Sequence, residues 1–370
     1  MPIYMDRHDV SETVTAEYVA QLHQEDLKIQ HLFNCKGLTY WFDGKRKTAF
    51  CLIDAPNKEA IQMMHDKAHG EVPHRIIEVD DAVVESFLGR IEDPKKSQKA
   101  ELNIINDPAF RTLMVIGIKR LSLKDSANKE LNLAIQKHNT TIVKTLNTFN
   151  GSIVKQKLGY FLASFNSVTN AVLCALSIQT MLNTAVDNTL FSEVNINMGL
   201  SAGVPVTEKD NIFEDTIKMA ERLCNVVKGQ IVISSEVKDL YESENLNIAI
   251  DKKIVHALSL TEERFLNDLM DYVDREWRNT TLNIDRFIKD LGYSKSKLYR
   301  SIIPLTGKSP NTFIKEYRLN KALQLLNNQV LNISEIAYET GFNSPAYFTR
   351  AFKKQFGLLP TNFMIGSKKN

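Results

Sequence analysis

Six of the eight histidines, His8, His23, His31, His65, His69 and His74, fall within the first eighty residues. Imidazole nitrogens joined by an occasional carboxylate suit Ni²⁺, Zn²⁺ or Cu²⁺. His65 and His69 are four apart, so on one helix they face the same way. His8 ends a predicted strand, and His23 sits mid-helix with Asp26 near it. His65-Asp66-Lys67-Ala68-His69 lacks the glutamate that a zinc protease carries after its first histidine, so no hydrolysis is indicated. His8, His23, His65 and His69 are thus candidate ligands for a divalent transition metal, Ni²⁺ or Zn²⁺. They read equally as hydrogen-bonded packing residues or the lining of an apolar pocket, and the sequence leaves both open. Cys51 alternates with Phe50 and Leu52 as in a strand and reads as core. The four cysteines show no CxxC spacing, which argues against a disulfide framework or a zinc ribbon.

A second set of chemistry-bearing residues lies at the other end. Twelve Lys/Arg face three acids between Leu291 and Asn370, while the whole chain carries a formal net charge of only +2. A basic end on an otherwise acidic chain points to a polyanion at that end. The same stretch repeats itself. Asn283-Ile284 through Gly292-Tyr293, Arg300, Gly307 and Pro310 recur as Asn332-Ile333 through Gly341-Phe342, Arg350, Gly357 and Pro360. Each unit reads as a short helix, a Gly-aromatic turn and a second helix, which is a tandem helix-turn-helix. Leu298, Ile302 and Leu305, and then Phe348, Phe352 and Phe356, form the apolar stripes of the two second helices. Ser294 and Asn343 suit N-caps, Pro345 suits the first turn, and Gly292 and Gly341 suit a positive φ. A reading helix puts its N-terminal side chains against base edges. The candidate DNA contacts are therefore Lys295, Ser296, Lys297, Tyr299 and Arg300 in the first unit. In the second they are Asn343, Ser344, Ala346, Tyr347 and Arg350, with Lys353 and Lys354 set against phosphates. Pro304 falls inside the first reading helix, where a missing N–H can kink it.

The elements that must position these groups fall into blocks. Residues 1–85 read as βαββαβ, with strands at Pro2–Asp6, Gly37–Phe42, Thr48–Ile53 and Arg75–Val79 and helices at Ala16–Phe33 and Asn57–His69. Residues 86–109 read as a linker around Glu92–Lys99 and Asp107-Pro108. Residues 110–245 alternate again, from a strand at Thr112–Ile118 and a helix at Asn128–Asn147 to a last strand at Gln230–Ser234. Residues 258–370 are all helical. The predicted fold is multidomain: two ferredoxin-like βαββαβ-type α/β sandwich domains, then an all-α tandem helix-turn-helix domain. No run approaches eighteen apolar residues and no leader is visible, so a soluble cytoplasmic protein is expected.

Three resemblances follow from these residues. Asn332-Ile333-x-x-Ile336-Ala337-x-x-x-Gly341-Phe342-x-Ser344-x-x-Tyr347-Phe348-x-Arg350-x-Phe352-Lys353-x-x-Phe356-Gly357-x-x-Pro360 closely resembles the AraC-type transcriptional regulators over about 260–366. That likeness implies two modules on a long helix entering successive major-groove segments of double-stranded DNA. The first unit departs more, with Ile288 where the second has Ala337.

Asn150-Gly151-Ser152, Gly159, Phe161–Phe165, Asn197-Met198-Gly199-x-x-x-Gly203 and Ala220-Glu221-Arg222-Leu223 resemble class III nucleotidyl cyclases over about 110–240. Those enzymes hold Mg²⁺ on two aspartates. Here the first aspartate position falls on Gly117, and Gly159-Tyr160-Phe161 stands where Gly-Asp-Gly belongs. Lys218 stands at a transition-state asparagine position, and only Arg222 matches a catalytic residue. The expectation is a non-enzyme: a degenerate cyclase-like domain kept for homodimerisation or for a small effector. An active nucleotide cyclase is the rival reading.

Tyr4-Met5-Asp6-x-His8, His23-x-x-Asp26-Leu27, Tyr40-Trp41-Phe42, Phe50-Cys51-Leu52, Ala55-Pro56 and His65-x-x-x-His69-Gly70 resemble a small ferredoxin-like family described as nickel-binding. Together the three resemblances imply a transcriptional regulator whose front end senses a metal ion or small ligand.

Overall fold

The computed structural model describes all residues except 96–100, 121–128, 185–193, 247–249, 329–330 and 368–370. Part of the expected linker, Lys96 to Lys99, and Asn128 at the head of an expected helix lie outside the described residues.

The first sheet contains β1 (Ile3–Asp9), β2 (Lys36–Asp43), β3 (Thr48–Asp54) and β4 (Arg75–Val79). Its order is β2-β3-β1-β4 and its pairs are antiparallel. Helices α1 (Ala16–Ile29) and α2 (Lys58–Ala68) cross one face. Thr15 and Asn57 cap them by accepting from the Tyr18 and Ala60 amides. Strand residues alternate between two cores. Tyr4, Tyr40, Phe42, Cys51 and Ile53 pack under α1 and α2. Met5, Trp41, Phe50, Leu52 and Ile77 face the other way, into a core shared with the middle block. Burial on both faces explains why these strands are almost continuously apolar.

Helix α3 (Asp81–Leu88) begins the connection to that block. The stretch assigned to a linker is largely packed down: Phe87, Leu88, Ile105 and Ala109 are buried. The buried Arg111 guanidinium donates to the carbonyls of Phe87 and Leu88 at the end of α3, 3.2 Å each. Reading polar composition alone missed these anchors.

The second sheet contains β5 (Arg111–Arg120), β6 (Ser152–Lys157), β7 (Tyr160–Phe165), β8 (Val194–Gly203), β9 (Ile231–Ile233) and β10 (Val255–Ala257), ordered β10-β9-β8-β5-β7-β6. Helices α4 (Lys129–Thr148), α5 (Val168–Thr184) and α7 (Ser235–Glu244) contribute to the core on one face. Helix α6 (Glu214–Asn225) lies on the other face. It comes so close to β8 that a Cβ on Gly199 would meet the Ala220 carbonyl oxygen at 2.2 Å.

The rest is helical: α8 (Leu260–Glu276), α9 (Ile284–Leu291), α10 (Lys295–Thr306), α11 (Pro310–Asn328), α12 (Ile333–Glu339), α13 (Pro345–Phe356) and α14 (Pro360–Ser367). The two helix-turn-helix units have separate cores. The first, with α8, shares a core with Leu223, Val227 and Val232 of the middle block. The second closes its own core on the C-terminal half of α11. No helix among the described residues is long and apolar enough to cross a membrane.

Candidate metal centre and nucleic-acid interface

Side-chain parity builds the first site. Asp6 and His8 are two apart on β1 and point to the helix-covered face, where Cys51 of β3 also points. Asp26 comes down from α1, and His65 and His69 from α2. Asp6, His8, Asp26, His65 and Cys51 are all buried. His65 Nδ1 lies 3.1 Å from Asp26 Oδ1 and 3.3 Å from His69 Nε2, and His69 Nε2 lies 3.2 Å from Asp26 Oδ1. Atoms bound to one ion at about 2.1 Å are roughly 3.0 Å apart at right angles and roughly 3.4 Å apart at tetrahedral angles. The triangle thus has the size of one face of a coordination sphere. Despite these short separations, Asp26 Oδ1 makes no properly directed hydrogen bond, and neither does the buried His8 Nε2, 3.4 Å from Asp6 Oδ1. A buried acceptor left without a partner costs about 1–3 kcal/mol, so the arrangement suits an ion better than a proton network.

On its other edge His65 Nε2 sits 3.0 Å from Asp6 Oδ2. That is the carboxylate–histidine pairing that fixes a metal-ligating tautomer. Burial alone would lower the His65 pKa, but hydrogen bonds to Asp26 and Asp6 outweigh it and hold it at about 10. Burial likewise favours neutral Asp6, yet His8 and His65 keep it ionised, well below the usual carboxylate range. One feature opposes ligation. His69 Nδ1 accepts from the Glu71 amide at 3.1 Å, so binding through Nε2 moves the ring proton to Nδ1 and breaks that bond. The cost is about 1 kcal/mol.

The structure separates His23 from this group. Its Nε2 pairs with Asp93 at 3.3 Å, although the ring lines the same cavity. Asp6, Asp26 and Cys51, not in the candidate ligand set, stand where two of its four histidines were expected alone. Among the described residues, the clusters of potential metal ligands are Asp6, His8 and Cys51, and Asp26, His65 and His69. Neither lies in the middle block. There Gly117 pairs across the sheet with Tyr160 and Asn197, and a side chain on it would meet Cys224 Sγ at 3.1 Å. Tyr160 donates to Glu221 Oε1 at 2.9 Å.

The second site is the outer face of the helical end. Asn283 and the Asn332–Glu335 capping box start α9 and α12, and Gly292 (φ 67°) and Gly341 (φ 77°) make the turns. Gly341 is needed twice over, because a Cβ there would also meet the Trp277 carbonyl oxygen at 2.6 Å. Ser294 caps α10 by accepting from Lys297 N at 3.2 Å. The cap of α13 is Ser344, which accepts from Tyr347 N at 3.3 Å, and not Asn343 as expected. Pro345 forces the residue before it into extended backbone, so the cap falls on Ser344. Pro304 lies in the last turn of α10, and the helix runs through it to Thr306. Leu298, Ile302, Phe348 and Phe352 are fully buried beneath the two helices. Opposite them Lys295, Ser296, Lys297, Arg300, Asn343, Ala346, Tyr347, Arg350, Lys353 and Lys354 are exposed, while Tyr299 and Ser344 are half-buried. Lys297 Nζ stands 4.6 Å from the centre of the Tyr293 ring.

Helix α6 joins the two ends. Ala220 and Cys224 belong to the core shared with the first sheet, and Leu223 to the core of the first helix-turn-helix unit. The buried Arg222 donates to Asn267 and Asp271 of α8, and Lys218 Nζ reaches Asp271 at 2.9 Å. The Lys228 amide donates to the Leu305 carbonyl at 2.8 Å, at the end of α10. Arg318 of α11 donates to the carbonyls of Trp277 and Asn279 at 2.8 and 2.7 Å. Sequence reading passed over all of these except Arg222 and Lys218, whose positions it noted for another reason.

Two family models match: "Helix-turn-helix domain" over residues 288–364 and "Nickel responsive protein SCO4226-like" over residues 4–79. Histidine kinase P4 of Formosa agariphila is 36% identical over 107 residues, which are 29% of this chain and 8% of that one. Several matched regulators, such as MtrA of Neisseria gonorrhoeae, are also spanned to less than half their length. Among solved structures, SCO4226 of Streptomyces coelicolor A3(2) is 32% identical, with 21% of this chain and 94% of that one covered and a TM-score of 0.20. An adenylate/guanylate cyclase/hydrolase of Silicibacter pomeroyi is 23% identical, with 36% and 81% covered and a TM-score of 0.32. The probable transcription factor PqrA of Proteus vulgaris is 33% identical over 102 residues, 27% of this chain and 84% of PqrA. Through these residues the chain belongs to the AraC-type helix-turn-helix transcription factors.

Proposed function

We propose that the chain is a sequence-specific DNA-binding transcriptional regulator whose N-terminal site takes a divalent transition metal as effector. The observation that carries the DNA-binding part is the pair of capped reading helices, α10 and α13, each with a buried apolar stripe and an exposed Lys/Arg face. In this reading Lys295, Ser296, Lys297, Tyr299 and Arg300, with Asn343, Ser344, Ala346, Tyr347 and Arg350, meet the major groove, and Lys353 and Lys354 meet phosphates. Binding of the full chain to DNA selected from a random pool tests it. Equal affinity for the selected site and its scrambled form would mean a non-specific binder.

The metal is held by Asp26, His65 and His69, with Asp6 orienting His65. The unpartnered Asp26 oxygen and the coordination-sized triangle support this, as does the likeness to a nickel-responsive family. Two imidazoles and a carboxylate suit Ni²⁺ or Zn²⁺. A bound ion supplies a cross-link between α1 and α2. Titration calorimetry with Ni²⁺ and Zn²⁺ on the wild type and on His65→Ala/His69→Ala checks the assignment, and equal heats would sink it.

We read residues 1–85 and 110–245 as two ferredoxin-like domains. The sheet order β2-β3-β1-β4 and its counterpart β6-β7-β5-β8 support that. The middle domain acts as a catalytically silent relay. Gly117 and Tyr160 offer no carboxylates for Mg²⁺, and Lys218 and Arg222 are engaged by α8. Cyclic-nucleotide formation by the purified chain with Mn²⁺ would overturn this part.

A further inference from the structure

Three protein donors do not complete the coordination of Ni²⁺ or Zn²⁺, and beside them lies a cavity of about 150 Å³. Its floor is the ligand group itself. Its walls are apolar: Val10, Val14, Val19, Leu22 and Val72, with Tyr18 at the mouth. A site meant for a hydrated ion alone has no use for such walls, because water in contact with them gains nothing. A dry apolar space of this size holds a six-membered carbon ring. The two unpartnered buried atoms, Asp26 Oδ1 and His8 Nε2, both belong to groups that line it. Charge narrows the class further. Asp26 brings one negative charge to a divalent ion and the neutral imidazoles bring none, which leaves +1 at the open position. Burying that charge is costly unless a counter-charge accompanies it.

We propose that the effector is not the bare ion but the ion together with a small organic monoanion, of benzoate size, whose donor atom completes the coordination sphere while its apolar body fills the cavity. This rests on the metal reading above and specifies what the same site responds to. His8 Nε2 is placed to donate to the second oxygen of a carboxylate held there. No covalent step is involved.

The test uses the full chain and compares Ni²⁺ affinity by calorimetry without additive, with acetate and with benzoate at equal concentration. Acetate offers the same donor without the body. The expected result is that benzoate tightens Ni²⁺ binding at least about tenfold more than acetate, equivalent to about 1.4 kcal/mol. In Val14→Phe, which fills the cavity from a half-exposed wall position away from the ligands, Ni²⁺ still binds but the benzoate advantage disappears. Equal effects of acetate and benzoate in the wild type, or an undiminished benzoate effect in Val14→Phe, overturn the proposal and leave the metal reading standing. Absence of Ni²⁺ binding under every condition removes the metal reading and this one with it.

Discussion

Phe352→Ala tests whether the two helix-turn-helix units are mechanically unequal. Phe352 is fully buried, with ring centroids at 5.7 Å from Phe348, 4.6 Å from Phe356 and 6.5 Å from Phe363. Its core contains Leu319, Leu326, Ile336, Ala337 and Phe342, and shares no buried residue with the core that holds α8, α9 and α10. Truncating such a ring costs about 3–5 kcal/mol. A unit of ~50 residues is stable by only roughly 2.5–7.5 kcal/mol at ordinary per-residue values. The substitution therefore consumes most of what holds the second unit. The first unit is braced on the middle block by Leu223 and Val227 and by the Lys228–Leu305 hydrogen bond, none of which involves Phe352. Peptide-resolved hydrogen exchange should show amides of α12 to α14 losing roughly 10²- to 10³-fold in protection, with α8 to α10 unchanged. The DNA footprint should contract to one groove segment. Equal loss of protection in both units, or no loss in either, would refute the idea of two cores.

Gly199→Ala should lower the melting temperature sharply. A Cβ there would stand 2.2 Å from the Ala220 carbonyl oxygen and 2.5 Å from the Cys224 amide, both backbone, so α6 must move. An unchanged melting curve would contradict that fit. At Asp271, burial raises the pKa, but Lys218 and Arg222 outweigh it and lower the folded value. A depressed folded pKa gives stability that is present above the unfolded value of about 3.9 and is lost as pH falls through the folded one. Asp271→Asn should flatten this acid-side loss, modestly because the carboxylate is 56% exposed, as urea midpoints across that range would register. Arg350→Ala should relax base preference by about 1–3 kcal/mol at one position. Lys295→Ala should weaken all sequences alike and reduce the salt slope by about 0.9. Competition between matched and scrambled sites separates these two outcomes.

The sequence by itself determined the local grammar. Every signal of the tandem units acts within a few residues: caps, positive-φ glycines and the apolar stripe Phe348, Phe352, Phe356 at helical spacing. The same holds for β1 to β4, whose bounds were legible from alternation and turn residues. One local misreading, Asn343 for Ser344 as a cap, came from overlooking what Pro345 does to its predecessor. Helix α3 was hidden because its anchors, Arg111 and the β6–β7 face, come later in the chain. Only the tertiary structure decided the site. His23 and His65 look equivalent in the sequence, yet one faces Asp93 and the other stands between Asp6 and Asp26. Whether donors from β1, α1 and α2 converge depends on sheet order and helix crossing, which are set by packing of residues distant in sequence. The two-faced role of α6 has the same origin: Ala220, Cys224 and Leu223 form one apolar stretch on paper. It is the cores on either side that direct Ala220 and Cys224 to the first sheet and Leu223 to the DNA-binding end.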